Sequence, residues 1–409
     1  MSSLTHVRGR IGAIGGVIVL LLVAGVWITL THASAQSSVS NHRTTASNGS
    51  SKPSAHSSSQ IPSEPLQLLS ETPASKATGV SGTTDIKIRF SAPLAADSPL
   101  PKLKPHVPGQ WQGEGTRTLE FVPSRGFAQL TRVRVTIPGG ALGVRSTQGA
   151  LLGTSVKLDF TTGSYQTARL AELLAQLGYL PLTWTASPGQ TVPAASDEAG
   201  QLAAAYSPPQ GSFSWQPGYP SKLKTFWQNG DPSSLILKGA VMAFEADHGL
   251  AVDGIPGPEV WSTLLTAVSA GQDNTHGYTY ALASEGDPET LTVWHDGKVI
   301  MKSLANTGIQ QAPTTIGTAP VYLKYYYQVM KGQNPDGSKY ADPVYYVSYF
   351  RSGEAVHYFN RGSYGFPQSL GCVELPWSNA KFIWKYLTYG TLVTVARGSQ
   401  TPAGSPVAN

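Results

Sequence analysis

The 409-residue chain has a single cysteine, Cys372. One cysteine cannot close an intramolecular bridge, so a disulfide scaffold is excluded, and so is any zinc site built on several cysteines. Charge is also scarce. Only 13% of residues are Asp, Glu, Lys or Arg, the formal net charge is +5, and no basic block occurs. That pattern argues against nucleic acid as a partner and suits an anionic wall or membrane surface. His42, His56, His248, His276, His295 and His357 show no metal-ligand spacing. No metal or other cofactor is therefore expected.

The N-terminus supplies what the rest lacks. Arg8 and Arg10 precede Ile11–Thr31, a run without any charge. About 20 apolar residues can cross a bilayer core as a helix. The basic flank on the N-terminal side predicts a cytoplasmic tail with the remainder exported. Ala33-Ser34-Ala35 also fits a signal-peptidase site. A cleavable apolar region is usually only about 7–15 residues long, so the reading here is an uncleaved anchor over 1–35, with secretion as the outcome if cleavage follows Ala35. Either way the protein is extracytoplasmic, which sharpens the question of the lone thiol: in an exported chain it is a buried small hydrophobe, an intermolecular link or a reactive group.

Residues 36–64 are rich in Ser and Thr and poor in large apolar side chains, the composition of a flexible linker. Over 65–163 the period is two. Ile86, Ile88 and Phe90 alternate with polar residues, as do Val133, Val135 and Ile137, and Val156, Leu158 and Phe160. Together with "IKIRFSAPL" and "LDFTTG", this segment resembles bacterial immunoglobulin-like spacer modules. Over 165–270 the period becomes helical: Leu170, Leu173, Leu174 and Leu177 form one stripe ended by Gly178, and Pro258 opens a helix carrying Trp261, Leu264, Leu265 and Val268. The words "LLAQLGYLP", "AVMAFEADHGLAVDG" and "GPEVWSTLL" resemble the peptidoglycan-binding domain of wall enzymes. A Pro/Gly/Ser-rich insertion, 183–234, interrupts that resemblance and is expected on the surface as a loop or elaboration.

From Gly277 strands return. "TLTVWHDGKVIMKS" is a hairpin with an Asp296-Gly297 turn, and "PVYYVSYFRSGEAVHYF" reads as two more strands. Between them "KGQNPDGSKYAD" is a polar tip able to cover a groove. Ala380, Ile383, Trp384 and Leu387 mark a helix face, and "TLVTVA" a final strand. His357 ends the strand "EAVHYF", fifteen residues before Cys372, and "NRGSYGFPQS" can fold back to join them. A nucleophilic thiol needs a neighbour that takes its proton, and histidine does so near neutral pH. Gly371 lets the backbone approach a carbonyl, with nearby N–H groups as oxyanion donors.

Residues 278–397 resemble the L,D-transpeptidase catalytic domain through "TLTVWHDGKVI", "NTGIQQAPTTIGTAPV", "AVHYF", "SLGCVEL" and "YGTLVTVA". The resemblance implies an exported cysteine enzyme acting on peptidoglycan. Cys372 would be the nucleophile and His357 the general base and acid, with the Tyr358 carbonyl orienting the imidazole and Gly371 giving backbone oxyanion support. Leu370, Glu374 and Gly365 would lie on the substrate side, and Ser369 would fix the loop or touch the substrate. Carbapenem-type β-lactams are implied as covalent inhibitors. The implied reaction forms 3→3 cross-links from a tetrapeptide stem with loss of D-alanine. Hydrolysis of the same thioester (an L,D-carboxypeptidase) or a silent wall-binding protein are the alternatives. Three positions depart from the family, one of them Tyr358, which stands where Gly or Ser is frequent. Leu370 stands where His, Arg or Lys is usual, and Glu374 where Arg or Asn is frequent; Glu374 could repel stem carboxylates or accept from an amine-bearing stem.

The expected fold class is thus multidomain and mainly β: an immunoglobulin-like β-sandwich (65–163), a small helical peptidoglycan-binding-like domain (165–270) and a β-sandwich-like catalytic domain (277–397), with a disordered tail at 398–409.

Overall fold

The computed structural model describes residues 64–227, 231 and 233–398. The expected anchor at 1–35, nearly all of the linker and the tail beyond 398 lie outside them. Among the described residues, no helix is long and apolar enough to cross a membrane.

The first segment is all β. Strands β1 (Leu68–Thr72), β2 (Ile86–Phe90), β3 (Lys102–Lys104), β4 (Gly109–Gln112), β5 (Thr118–Pro123), β6 (Arg132–Ile137) and β7 (Val156–Thr161) form two sheets, ordered β1-β2-β5-β4 and β3-β6-β7. The alternating side chains meet as expected. Ile86, Ile88 and Phe90 from one sheet share a core with Val133, Val135, Ile137, Leu158 and Phe160 from the other, the arrangement of a β-sandwich.

Helix α1 (Thr167–Gln176) follows, and then β8 (Leu182–Ala186), α2 (Glu198–Tyr206), β9 (Gly211–Trp215), α3 (Ser221–Lys224), α4 (Leu235–Asp247) and α5 (Pro258–Ala270). The described residues of the insertion thus include an elaboration: β8 and β9 pair as a hairpin around α2. Asp197 caps α2 by accepting from the Gly200 N–H at 2.9 Å. The insertion also holds the first sandwich, since Tyr206 Oη donates to the Phe127 carbonyl at 3.0 Å. Beneath α2 a buried network replaces apolar packing: Arg169 donates to Glu172 (2.8 Å) and to Gln201 (2.7 Å).

The C-terminal segment holds β10 (Thr279–Glu285), β11 (Thr290–His295), β12 (Lys298–Leu304), β13 (Gly317–Pro320), β14 (Leu323–Gln333), β15 (Lys339–Arg351), β16 (Glu354–Tyr358), β17 (Val373–Leu375), α6 (Trp377–Trp384) and β18 (Leu392–Arg397). They make a five-stranded sheet, β12-β11-β10-β18-β13, and a four-stranded sheet, β14-β15-β16-β17. Leu291, Val293, Val393 and Val395 of the first pack with Phe350, Val356, Val373 and Leu375 of the second, and with Ile383 and Leu387 at and beyond α6. The Asp296-Gly297 turn has φ of 47° and 73°, as the tight hairpin between β11 and β12 requires. "KGQNPDGSKYAD" proves to be mostly strand: β14 and β15 pair as far as Gln333 and Lys339, leaving only 334–338 as the tip.

The helices are not insulated from the second sandwich. Ile236, Ala240 and Phe244 of α4 belong to one core with Tyr280 of β10 and Leu392 of β18. Gly239 makes that approach possible, because a methyl there would collide with the Gly390 carbonyl.

Candidate active site

The site is built on one parallel strand pair. Val356 is in register with Val373 and His357 with Glu374. Successive side chains of a strand point to opposite faces. Val356, Val373 and Leu375 therefore enter the core, while His357, Glu374 and Cys372, just before β17, share the other face. There they line a cleft of about 330 Å³ with Leu370, Arg361 and, from the β14–β15 hairpin, Tyr340. The hairpin tip contributes Asn334 and Pro335 to the same cleft, where the polar tip was expected to lie.

His357 is 3% exposed. Its Nδ1 lies 2.9 Å from the Tyr358 carbonyl oxygen. That oxygen can only accept, so Nδ1 carries the proton and Nε2 keeps a lone pair for a base. Burial pulls His357 below its usual pKa of 6.5, against the opposing pull of the Tyr358 hydrogen bond; the imidazole is neutral at pH 7. Burial pushes the Cys372 thiol up to about 12, partly offset by the Ala355 N–H. The resting pair is thus a neutral thiol and a neutral imidazole rather than a thiolate–imidazolium pair. The thiol points at the Gly353 carbonyl oxygen, 3.6 Å away.

The loop around the cysteine is clipped by Ser369, which is 1% exposed. Its Oγ donates to the Cys372 carbonyl at 2.6 Å and accepts from the Gly371 N–H at 3.1 Å. Ser369 is thus a buried clip on the loop, and the Gly371 N–H is donated to it. Gly371 is needed for its φ of +111°, which side-chain-bearing residues rarely adopt. Gly365 does not line the cleft. Its N–H donates to Asn306 Oδ1 at 3.0 Å and its carbonyl accepts from the Glu289 N–H at 2.7 Å, which fastens the loop to the core. Leu370 does line the cleft, and it offers no donor.

Glu374 is where sequence reasoning was least complete. It is 4% exposed and receives two hydrogen bonds from Arg361, Nε to Oε2 and Nη2 to Oε1, both 2.8 Å. Its backbone pairs with Asn306. Arg361 was missed although it is the sole cation between His357 and Cys372, a signal that could have found it. Glu289 carried no such signal. Buried at 3%, it accepts from the Thr307 N–H and Oγ1, both at 2.6 Å, and Thr307 in turn accepts from the Ser369 N–H at 2.9 Å. Glu354, beside Gly371, holds Thr315 through its N–H (3.0 Å) and Oγ1 (2.5 Å).

Residues 279–395 match the model of the L,D-transpeptidase catalytic domain. Residues 62–162 match a bacterial Ig-like domain and 233–264 a peptidoglycan binding domain; the last match covers α4 and the first half of α5 but not α1. No curated protein matches the chain. Among solved structures, an L,D-transpeptidase from Mycobacterium smegmatis is similar at 15% identity over 81% of this chain and 99% of that one, with a TM-score of 0.26. L,D-transpeptidase 3 from Mycobacterium tuberculosis, in complex with a faropenem-derived adduct, is 14% identical over 80% and 97%, TM-score 0.27. The catalytic domain of the E. faecium L,D-transpeptidase acylated by ertapenem is 28% identical over 29% and 97%, TM-score 0.27. TM-scores of this size do not bear on the fold. The sequence matches do: the chain carries an L,D-transpeptidase family catalytic domain over residues 279–395, together with an Ig-like domain and a peptidoglycan-binding domain.

Proposed function

We propose that the protein is a cysteine-dependent L,D-transpeptidase that makes 3→3 peptidoglycan cross-links on the wall side of the membrane. The observation that carries this reading is the fixed tautomer of His357. With Nδ1–H held by the Tyr358 carbonyl, Nε2 is the basic nitrogen, on the same face of the strand pair as Cys372.

The Cys372 Sγ attacks the L-centred carbonyl of the third residue of a tetrapeptide stem while its proton passes to His357 Nε2. The C–N bond to the terminal D-alanine then breaks. Nε2 returns the proton to that departing amine, and a thioester remains. An amine from a second stem attacks the thioester and gives its proton to Nε2. The C–S bond breaks, a new amide forms, and the thiol regains its proton. Neutral resting partners fit this sequence, since each half-reaction begins with a proton to be taken. The membrane anchor belongs to the same proposal and would hold the enzyme at the inner face of the wall, where fractionation of cells would find it.

The test is to incubate the full-length protein with disaccharide-tetrapeptides, and separately with a carbapenem. The expected outcome is cross-linked dimers and a covalent adduct on Cys372 by mass spectrometry, both lost in Cys372→Ala. Free tripeptides without dimers would instead identify a carboxypeptidase. No adduct and no turnover, with sacculus binding retained, would leave a wall-binding protein.

A further inference from the structure

The cleft presents a pattern of charge that the acyl-transfer steps above do not use. Glu374, at first sight an acid placed beside the nucleophile, is neutralised. Both its oxygens accept from Arg361 at 2.8 Å, and Oε2 also lies 3.5 Å from Asn306 Nδ2. A buried carboxylate held on two sides in this way is neither a repulsive charge toward a substrate acid nor an acceptor for a substrate amine.

Arg361 is the opposite case. Its guanidinium is held in one plane by Glu374, by an Nη2 hydrogen bond to the Gln368 carbonyl at 2.9 Å, and by stacking 4.5 Å above the Phe359 ring. A guanidinium carries five N–H donors. Nε and Nη2 account for the bonds just named, and Nη1 makes no hydrogen bond to any described residue. Arg361 nevertheless lines the cleft with Cys372 and His357. Across the same cleft, on the β15 arm of the hairpin, stands Asp342, whose carboxylate accepts no hydrogen bond from the described side chains. Across the cleft, a guanidinium with an unused N–H on the loop before Cys372 thus faces an acid on the hairpin.

We propose that Arg361 is the specificity-determining residue of this cleft, reading a carboxylate of the donor stem through Nη1, with Glu374 as its positioning residue. The inference rests on the peptidoglycan reading above and names the chemistry that the cleft selects. The sequence-level alternatives for Glu374, repulsion of a carboxylate or acceptance from an amine, both give way to a supporting role. Because the guanidinium is already immobilised, little side-chain entropy is lost when a ligand binds. Two carboxylates of a donor stem could supply the ligand, the one at the C-terminus of the departing residue and the one on the side chain of the diamino acid. The chemistry they share is what Arg361 recognises.

The test uses binding, so that it does not depend on turnover. Full-length Cys372→Ala protein is titrated by calorimetry with a disaccharide-tetrapeptide, its C-terminal amide, and its diamino-acid side-chain amide. One of the two amides should bind about 10- to 100-fold more weakly than the free acid, the size expected for losing a charge-assisted hydrogen bond; which amide does so identifies the source. Adding Arg361→Gln should weaken the free acid by a similar factor and leave that amide unchanged, so the two losses do not add. Arg361→Lys, which keeps the charge without the planar fork, should fall between. Glu374→Gln should weaken free-acid binding less than Arg361→Gln. Equal affinity for all three ligands, or the same loss from Arg361→Gln for acid and amides alike, overturns the proposal. The adduct and dimer assays in protein with Cys372 intact report separately on the acyl-transfer reading, so either can fail without the other.

Discussion

At the scale of single residues, two opposed solvation effects set the chemistry. Burial raises the pKa of the Cys372 thiol and lowers that of His357, so both groups are uncharged at neutral pH. In the proposed mechanism the histidine sets the pH dependence. As pH falls through its pKa, Nε2 gains a proton and can no longer take the one from sulfur. That pKa lies below 6.5, so the rate of carbapenem acylation should hold from pH 8 to about 6.5. Below that, it should lose about tenfold per pH unit once the imidazole is protonated. Stopped-flow acylation from pH 5 to 8 measures this, and a limb centred above pH 7 would contradict the buried neutral histidine. The sequence made Cys372 and His357 legible, since each is the sole candidate of its type near the other. It did not make Arg361 legible as the partner of Glu374, because that contact spans thirteen residues of irregular loop.

At the scale of elements, α4 shows how a helix end is tied down by a buried acid. Glu245 is fully buried. Its Oε2 accepts from the Asp253 N–H at 3.0 Å and the Gly254 N–H at 2.8 Å, which closes the loop between α4 and α5. Burial raises its pKa to about 7 from 4.5, the two backbone donors pulling it down and the Asp253 charge adding to the rise. An acid whose folded-state pKa is raised holds a proton that the unfolded chain has already lost. Its contribution to stability therefore declines as pH rises from about 4.5 to about 7, and is level above. Glu245→Gln keeps an oxygen for both N–H donors and removes the titration. The variant should match the parent in Tm at pH 5 and exceed it at pH 8. Parallel Tm curves across that range would show that Glu245 does not titrate on unfolding.

The hairpin of β14 and β15 makes a complementary point. Its composition suggested a loop of about a dozen residues, because Gly, Pro, Asn and Asp are depleted from strands. Backbone pairing to the neighbouring arm overrode that local preference and left five residues at the tip. The expected placement over the groove came out as read, while the expected irregularity did not.

At the scale of the whole molecule, the segments that the sequence separates by period are packed as neighbours that share cores. Helix α4 lies against β10 and β18, with Gly239 and Gly390 in backbone contact. The atom an added methyl would meet first is the Gly390 carbonyl oxygen, with Leu392 Cδ2 next at 3.3 Å; the first belongs to the main chain, so relief requires a shift of α4. Gly239→Ala should lower Tm at a cost of about 1–3 kcal/mol and loosen the helices from the catalytic sandwich. Differential scanning calorimetry would register a lower or divided transition, and limited proteolysis would show faster cutting between α5 and β10. An unchanged transition would mean that the interface can absorb a methyl. The insertion plays a similar part on the other side, where Tyr206 reaches the Phe127 carbonyl.

The sequence by itself determined the order of the segments, the class of each, and the two residues on which the proposed chemistry turns. Period-two and helical patterns are written locally, and a lone thiol with a nearby histidine needs no distant partner to be noticed. Only the tertiary structure decided what surrounds them. Ser369 turned inward as a clip, Gly371 gave its N–H to that clip, Glu289 anchored Thr307, and Glu374 was claimed by Arg361. These outcomes depend on which polar groups meet once the strands have paired and water has been excluded. A buried carboxylate must find a donor wherever the fold brings one, and no spacing along the chain records where that will be.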